Sequence, residues 1–208
     1  MRNGKWGWAR RITLISAITL GWAWQASAGA ADEIARLAGL MDWKAGAIVA
    51  DIGAGDGRYS FAAAAKVGPS GRVYATEIDE KKLDELRAEV KRRNLSNVVV
   101  VTSSADDTGL SAGCCDAIFL RRVYHHLTNP AEFDMKVAAS LKSGGRLAII
   151  DFAPRAGLDP VEGIPSNRGG HGIPEKIVIE ELTAAGLQLE REVKDWPDDS
   201  YCVVFVKK

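Results

Sequence analysis

The stretch Val49–Ser60, VADIGAGDGRYS, decides the fold of this chain. Its apolar run ends at an acid, Asp51, and three glycines then follow at alternate positions, Gly53, Gly55 and Gly57. Glycine permits left-handed backbone and lets the backbone approach a ligand closely. A buried strand that ends in such a loop and continues into a helix predicts a site for a nucleotide or a carboxylate.

Outside this stretch, apolar runs and helical patterns alternate along the chain. Apolar runs predict seven strands, at 48–52, 72–78, 97–102, 116–120, 146–152, 187–195 and 201–206. Helical spacing predicts helices at 32–43, 58–67, 80–94, 130–141 and 174–185. Only WPDDS joins the last two strands, and a parallel crossover needs a dozen residues or more. The sequence therefore predicts an α/β fold, a doubly wound sheet of five parallel strands with a C-terminal antiparallel hairpin.

Composition limits the class of protein. With 208 residues, 47% of them hydrophobic and 26% charged, the chain has the size and apolar content of one packed domain. Basic and acidic residues number 27 each, so no basic surface for nucleic acid is predicted. Cys114, Cys115 and Cys202 are odd in number and lack ligand spacing, which predicts neither a disulfide framework nor a zinc site.

The N-terminal segment has the pattern of an export signal. The first 30 residues contain four basic residues and no acid, and their apolar run, 12–24, is shorter than the roughly 20 residues of a spanning helix. Ala26, Ala28 and Ala30 provide the small residues of a cleavage site. We predict a signal peptide at 1–30, a mature domain at 31–208, a periplasmic location and no stable membrane insertion. The alternative is an uncleaved anchor or amphipathic helix.

The order of elements and the DIGAGDG motif resemble the class I S-adenosylmethionine-dependent methyltransferases over residues 34–207. A dinucleotide fingerprint instead has its last glycine one residue later, where this chain has Arg58. Glu77, twenty residues after Gly57, ends the second predicted strand as the family's acid does. RRVYHHLTNPAEF, LKSGGRLAIIDF and HGIPEKIVIEELTAAG resemble a secreted bacterial subset of type 11/25-like methyltransferases. The resemblance implies a Rossmann-like fold, S-adenosylmethionine as cofactor and transfer of its methyl group.

The resemblance also implies which residues bind the cofactor. The three glycines would surround the methionine end, and Asp51 would either organise the loop or face the ammonium group of the ligand. Glu77 would accept hydrogen bonds from both ribose hydroxyls, and Ile78 would pack on the adenine. After the third strand the family has an acid and a small residue. This chain has Ser104 and Ala105 there, followed by Asp106, so the role of the acid passes to Ser104 or Asp106 or is lost. Arg121, at the end of the fourth strand, completes the predicted cofactor set.

Candidate catalytic residues follow the fourth and fifth strands, on the ligand side of such a sheet. Tyr124, His125 and His126 follow the fourth strand, and His171 lies in a loop at 153–172 that is rich in Gly and Pro. Each histidine is a candidate general base, and Arg168 could close over the substrate with His171. The spacing of the histidines does not single out a metal site. The absence of an Asn/Asp-Pro-Pro-Tyr motif argues against a nitrogen acceptor in adenine or a glutamine amide.

The predicted cofactor and the predicted export signal conflict. S-adenosylmethionine belongs to the cytoplasm, whereas the head of the chain predicts export. Arg10 and Arg11 suggest a twin-arginine route, on which a protein folds before export, as an alternative to general secretion.

The exported domain could also be a nucleoside-binding protein without catalysis. A nicotinamide-dependent oxidoreductase is disfavoured by the glycine spacing. The favoured prediction is a methyltransferase that acts on a small molecule.

Overall fold

A computed structural model describes residues 18–208 of the chain. Its five α-helices are α1 (Ile18–Leu40), α2 (Arg58–Val67), α3 (Glu80–Arg92), α4 (Pro130–Ser140) and α5 (Glu175–Ala184). Its seven strands are β1 (Ile48–Ile52), β2 (Arg72–Glu77), β3 (Val98–Thr102), β4 (Cys115–Arg121), β5 (Leu141–Asp151), β6 (Gln188–Trp196) and β7 (Ser200–Val206). Short 3-10 helices at Tyr124–His126 and Ser166–Arg168 interrupt the loops that follow β4 and β5.

The strands form one sheet in the order β3-β2-β1-β4-β5-β7-β6. β1 to β5 are parallel, and β7 pairs antiparallel with both β5 and β6. The prediction of five parallel strands with a closing hairpin is therefore confirmed. One boundary differs clearly, because β5 begins at Leu141 and runs through Gly144 and Gly145, five residues before the predicted start.

Helices cover both faces of the sheet, and each face has its own apolar core. On one face, Leu37 of α1, Phe61 of α2 and Leu86 of α3 belong to the same buried cluster. On the other, Phe133 of α4 and Leu182 of α5 pack over the central strands. The central strands are buried on both sides, which explains why their sequences are continuous apolar runs instead of alternating patterns.

The N-terminal helix is longer than predicted. α1 begins at Ile18, continues through Ala28 and Ala30, and ends at Leu40. Of the predicted signal peptide, residues 1–17 lie outside the described part of the chain. Within residues 18–208, no helix combines the length and the apolar character needed to cross a membrane.

Candidate active site

The carboxyl ends of β1 to β4 open into a cleft with a volume of about 650 Å³. Cofactor and small-molecule pockets typically measure ~300–1,000 Å³. In open parallel sheets, ligands bind where the strand order reverses, which is between β1 and β4 here. The cleft is lined by Ile52 and Gly53, by Glu77, Ile78, Asp79 and Lys82, by Ser103, Ser104 and Ala105, and by Arg121, Arg122, Val123, His126, Leu127 and Phe133.

A larger groove of about 880 Å³ lies between α1 and β6. Two of its arginines already form ion pairs, Arg146 with Glu190 and Arg36 with Asp195. None of the residues that line it comes from the glycine loop or from the carboxyl ends of β1 to β4. The smaller cleft is therefore the candidate active site.

The glycine loop forms one wall of the cleft, and all three of its predicted glycines have positive φ. A Cβ at Gly53, where φ is 74°, would overlap the side chain of Val123, so this glycine lets the loop after β4 pack closely. At Gly55, where φ is 56°, the nearest protein atom to a Cβ would be 4.0 Å away. The space beside Gly55 is thus open to a ligand, whereas Gly53 serves packing within the protein.

Asp51 lies beneath this loop and not in the cleft. Its side chain is buried, and its Oδ2 accepts a hydrogen bond of 2.6 Å from the Ser60 hydroxyl at the start of α2. Burial raises the pKa of Asp51 to about 7. The prediction offered Asp51 two roles, organising the loop or facing the ligand. Its position matches the first, because it links the end of β1 to the helix that follows.

Glu77 faces the cleft from the end of β2. Its Oε2 accepts from the N–H of Gly55 at 3.0 Å, and its Oε1 accepts from the N–H groups of Ile78 and Asp79 at 2.9 and 3.3 Å. These bonds fix the carboxylate between the glycine loop and the start of α3. Ile78 is 63% exposed at the edge of the cleft, an unusual exposure for a large apolar side chain and a suitable surface for a flat ring.

The segment after β3 contributes Ser103, Ser104 and Ala105 to the lining, whereas Asp106 is exposed and does not line the cleft. A tight turn holds the segment, with the Ser104 N–H donating to the Asp107 carbonyl at 2.8 Å. Asp107 itself bonds to Lys136 at 3.1 Å. Of the two residues predicted to replace the missing acid, only Ser104 is in position to contact a ligand.

Arg121 enters the cleft from the end of β4, and an acid that was not predicted holds it there. The buried Glu33 of α1 accepts from Arg121 Nε at 2.8 Å, from Tyr59 Oη at 2.7 Å and from Trp196 Nε1 at 2.9 Å. Burial alone would raise the pKa of Glu33, but the three donors outweigh it and lower that pKa. We call Glu33, Tyr59, Arg121 and Trp196 the Glu33 cluster.

His125 forms a second unpredicted pair, with Asp151 at the end of β5. The His125 Nδ1 lies 2.8 Å from Asp151 Oδ1, and both groups are almost fully buried. The same carboxylate accepts from the backbone N–H groups of His125 and Phe152. Because the carboxylate only accepts, the ring hydrogen is assigned to Nδ1, which leaves the Nε2 lone pair free. Nε2 is buried and has no hydrogen-bond partner in the described part of the chain.

The three histidines, each predicted as a candidate general base, lie next to one another. The His126 ring lies 4.0 Å from the His125 ring, and the His171 ring stacks on His125 at 5.4 Å. His126 lines the cleft, and partial burial together with His125 lowers its pKa. His171 is tethered by its Nδ1 to the Asp159 carbonyl at 2.9 Å. Across residues 18–208, no group of three or more His, Cys, Asp or Glu side chains is arranged to hold a metal ion.

Tyr124 and Arg168 lie in the interior, away from the cleft. The Tyr124 hydroxyl is 2.8 Å from Asp134 Oδ2 and 2.9 Å from Glu181 Oε2, and burial raises its pKa far above the ordinary value. Arg168 donates to the carbonyls of Leu127 and Tyr124 and to Glu181. Both residues anchor the loop after β5 to the loop after β4, so the structure brings neither to the predicted catalytic group.

Comparison with known proteins agrees with this architecture. Residues 50–149 match the family model described as a methyltransferase domain. The aklanonic acid methyltransferase of Streptomyces sp. (strain C5) is 31% identical over 125 residues, 60% of this chain and 57% of that protein. The nocamycin O-methyltransferase of Saccharothrix syringae is 35% identical over 123 residues, 59% of this chain and 44% of that protein. The chain thus spans about half the length of these curated relatives.

Among solved structures, a SAM dependent methyltransferase from Aquifex aeolicus superimposes with a TM-score of 0.72 at 26% identity. The superposition covers 84% of this chain and 89% of that one. With the seven-stranded sheet, these matches show a methyltransferase domain at residues 50–149 and support the resemblance to the class I S-adenosylmethionine-dependent methyltransferases. The resemblance predicted from the glycine loop is confirmed at this level, and membership of a secreted subset stays a prediction.

Proposed function

We propose that this protein transfers the methyl group of S-adenosylmethionine to an oxygen atom of a small molecule. The observation that carries the proposal is Glu77, whose fixed carboxylate faces the cleft beside the open space at Gly55. A nucleoside cofactor needs an acid at the end of β2 and a backbone that it can approach closely. Both curated relatives are named as methyltransferases of small molecules, one of them as an O-methyltransferase.

The residues present fit such a cofactor along the whole cleft. Glu77 Oε2 still has a lone pair for a ribose hydroxyl, and exposed Ile78 offers an apolar surface to the adenine. Ser104, Ala105, Gly53 and Arg121 line the cleft. The first two would meet the adenine edge, and Arg121 and the glycine loop would face the methionine end. The cofactor supplies a methyl group already activated by its sulfonium charge, so the protein has to align the acceptor and exclude water.

At the acceptor end, His125 and Asp151 form a buried general-base pair. Asp151 holds the imidazole with its hydrogen on Nδ1 and stabilises the charge that the ring gains when Nε2 takes the proton of an acceptor hydroxyl. Because His171 stacks on His125 and Nε2 is buried, the segment that carries His171 has to move before an acceptor reaches this atom. His126, at the edge of the cleft, would contact the acceptor without an aligned acid of its own.

Calorimetric titration with S-adenosylmethionine, S-adenosylhomocysteine and NAD tests the cofactor. We expect micromolar binding of the first two, about −8 kcal/mol, and no binding of NAD. Glu77→Gln should weaken that binding at least tenfold, because the amide nitrogen donates and cannot accept from a ribose hydroxyl or from the loop N–H groups. Glu85→Gln, an exposed position on α3, is the matched control. Tight binding of NAD, or equal affinity in the two variants, would contradict the proposal.

We also propose that the protein is exported by way of its first 30 residues. The basic head, the apolar run and the small residues before 31 support this proposal. The Glu33 cluster adds a constraint, because cleavage has to leave Glu33 on the mature chain. A reporter fused to residues 1–35 should reach the periplasm. A wild-type fusion retained in the cytoplasm would refute export. An Arg10→Lys and Arg11→Lys double variant distinguishes the routes, because its export should fail only if the protein uses the twin-arginine route.

A further inference from the structure

Three arginines converge on the tip of the β6–β7 hairpin, beside the proposed acceptor site. Arg122 places a guanidinium nitrogen 3.3 Å from Asp198 Oδ2, and Arg121 places one 3.8 Å from the same atom. Arg155, from the loop after β5, donates to the carbonyls of Asp198 and Asp199 at 3.0 and 3.4 Å. The tip of the hairpin is therefore surrounded by three guanidinium groups.

The positive charge of two of these arginines is poorly matched. Glu33 neutralises Arg121 through a close hydrogen-bonded pair. Arg122 has only the long contact with Asp198, and its Nε is buried without a hydrogen-bond partner in the described residues. Arg155 contacts backbone carbonyls and has no carboxylate within ion-pair distance among residues 18–208. A bound anion would supply what both arginines lack.

Asp198 is a weak occupant of this position. Its side chain is 65% exposed, and ion pairs between exposed groups contribute little because water and salt screen them. Asp198 and Asp199 both have left-handed backbone, with φ of 59° and 52°, at a tip without glycine. Such a tip is held by its contacts and not by its intrinsic preference. An anion with better geometry can therefore replace the Asp198 carboxylate.

Phe152 lies against both guanidinium groups and against the proposed base. The Arg155 guanidinium lies 4.8 Å from the centre of this ring, and that of Arg122 lies 6.0 Å from it. Stacking fixes the plane of an arginine and leaves its N–H edge free for two parallel bonds to a carboxylate. The same ring lies 4.9 Å from His125, so an anion bound here would be held next to the proposed base.

We propose that the methyl acceptor carries a carboxylate group, which Arg122 and Arg155 bind in exchange for Asp198. This inference rests on the proposed function, because it names the substrate class of the same site. The apolar residues Val123, Leu127 and Phe133 of the cleft wall would contact the body of such an acid.

Binding of a matched pair of compounds tests the inference. The full chain is titrated with 3-hydroxy-2-naphthoate and 3-hydroxy-2-naphthamide in the presence of S-adenosylhomocysteine. The two compounds share ring and hydroxyl and differ in charge. We expect the acid to bind at least about tenfold more tightly than the amide. In Arg122→Gln and in Arg155→Gln, the ratio of the two affinities should fall to a value between about 1 and 3. Arg191→Gln, an exposed arginine on β6, should keep the full ratio.

Asp198→Asn sharpens the test, because asparagine tolerates left-handed backbone but removes the competing charge. It should raise the affinity for the acid several-fold and leave that for the amide unchanged. Equal binding of the two compounds, binding of neither, or a ratio that survives both arginine variants would overturn the inference. Titration with S-adenosylhomocysteine alone separates the two proposals. Its binding without a preference for the acid overturns only the inference, and its failure to bind overturns the proposed function.

Discussion

The cofactor half and the acceptor half of the cleft are built in different ways. In the cofactor half, neighbouring segments bond to each other, as when Gly55 donates to Glu77, 22 residues further along the chain. Gly53 and Ala54 both donate to the carbonyl of Thr76 at 2.9 Å in the same way. In the acceptor half, Arg122 reaches Asp198 across 76 residues. The Glu33 cluster beside it joins Glu33 to Arg121 across 88 residues and to Trp196 across 163.

This difference explains what a sequence motif can reveal. The glycine loop and Glu77 are close in the chain, so the geometry of one strand–loop–helix unit brings them together whenever it folds. The acceptor half exists only after the N-terminal helix, two loops and the hairpin have packed on one edge of the sheet. We therefore expect variants of the acceptor half to change catalysis or stability while leaving the cofactor affinity largely intact.

The largest expected effect is that of Asp151→Asn on turnover. An amide at this position can donate to His125 Nδ1, which moves the ring hydrogen to Nε2 and removes the base. We expect kcat to fall about a hundredfold to a thousandfold, with the affinity for S-adenosylhomocysteine unchanged. Methyl transfer to an acceptor identified among hydroxy acids provides the measurement.

Asp159→Asn is the matched control for this loop, because the structure uses only the backbone carbonyl of Asp159, which bonds to His171. It should keep its turnover. A loss of cofactor affinity in Asp151→Asn would show that the two halves of the cleft are not independent. Unchanged turnover in the same variant would show that His125 is not the general base.

The next largest effect should be that of Glu33→Gln on stability. The variant removes the charge that Arg121, Tyr59 and Trp196 all contact in the interior. We expect a loss of about 2–3 kcal/mol in the free energy of unfolding, measured by urea titration at pH 7. Because the pKa of Glu33 is lowered in the folded state, its contribution is present above the unfolded value near 4.5 and is lost at lower pH.

Glu85→Gln, which is exposed, should change the stability by less than about 0.5 kcal/mol. Equal effects of the two variants would show that the Glu33 cluster does not hold α1 against the sheet.

The extent to which the sequence predicts this protein follows from the same comparison. The sequence predicts all seven strands. For the central strands the reason is burial on both faces, which leaves continuous apolar runs, whereas β6 is mostly exposed and is predicted together with β7 as a hairpin. The predicted start of β5 lies five residues too late, since Gly144 and Gly145 suggest a turn although they lie within the strand. The sequence analysis does not predict Asp151, although this residue ends β5 much as Asp51 lies one residue before the end of β1, and the carboxyl ends of both strands lie at the same edge of the sheet. Glu33 left no signal, because its partners are set by packing alone.

A third prediction concerns the interior beneath the acceptor half. Burial raises the pKa of Asp134 to about 7, and the single hydrogen of Tyr124 cannot serve both Asp134 and Glu181. The folded protein therefore keeps a proton that the unfolded chain releases near pH 3.8, so its stability falls as pH rises towards about 7. Asp134→Asn, which is neutral at every pH, should reduce this fall by more than about 1 kcal/mol.

Urea titrations between pH 4 and 8 measure this effect, with the exposed Asp84→Asn as control. Asp51 keeps a proton over the same range, so part of the slope should remain in Asp134→Asn. The same slope in wild type and variant would show that Asp134 is ionised in the folded protein.

The smallest expected effect lies in the cofactor half, at Ser104, where the family resemblance predicts an acid. Ser104 lines the cleft, its hydroxyl is small, and the acid next in sequence, Asp106, does not line it. Ser104→Asp should strengthen the binding of S-adenosylhomocysteine about threefold to tenfold, because a carboxylate accepts from the adenine amino group more strongly than a hydroxyl does. Asp106→Ser, the reverse change two residues away, should have no effect on the affinity. A weaker cofactor complex in Ser104→Asp would mean that the adenine edge meets the backbone of Ala105 alone and that the serine leaves room for it.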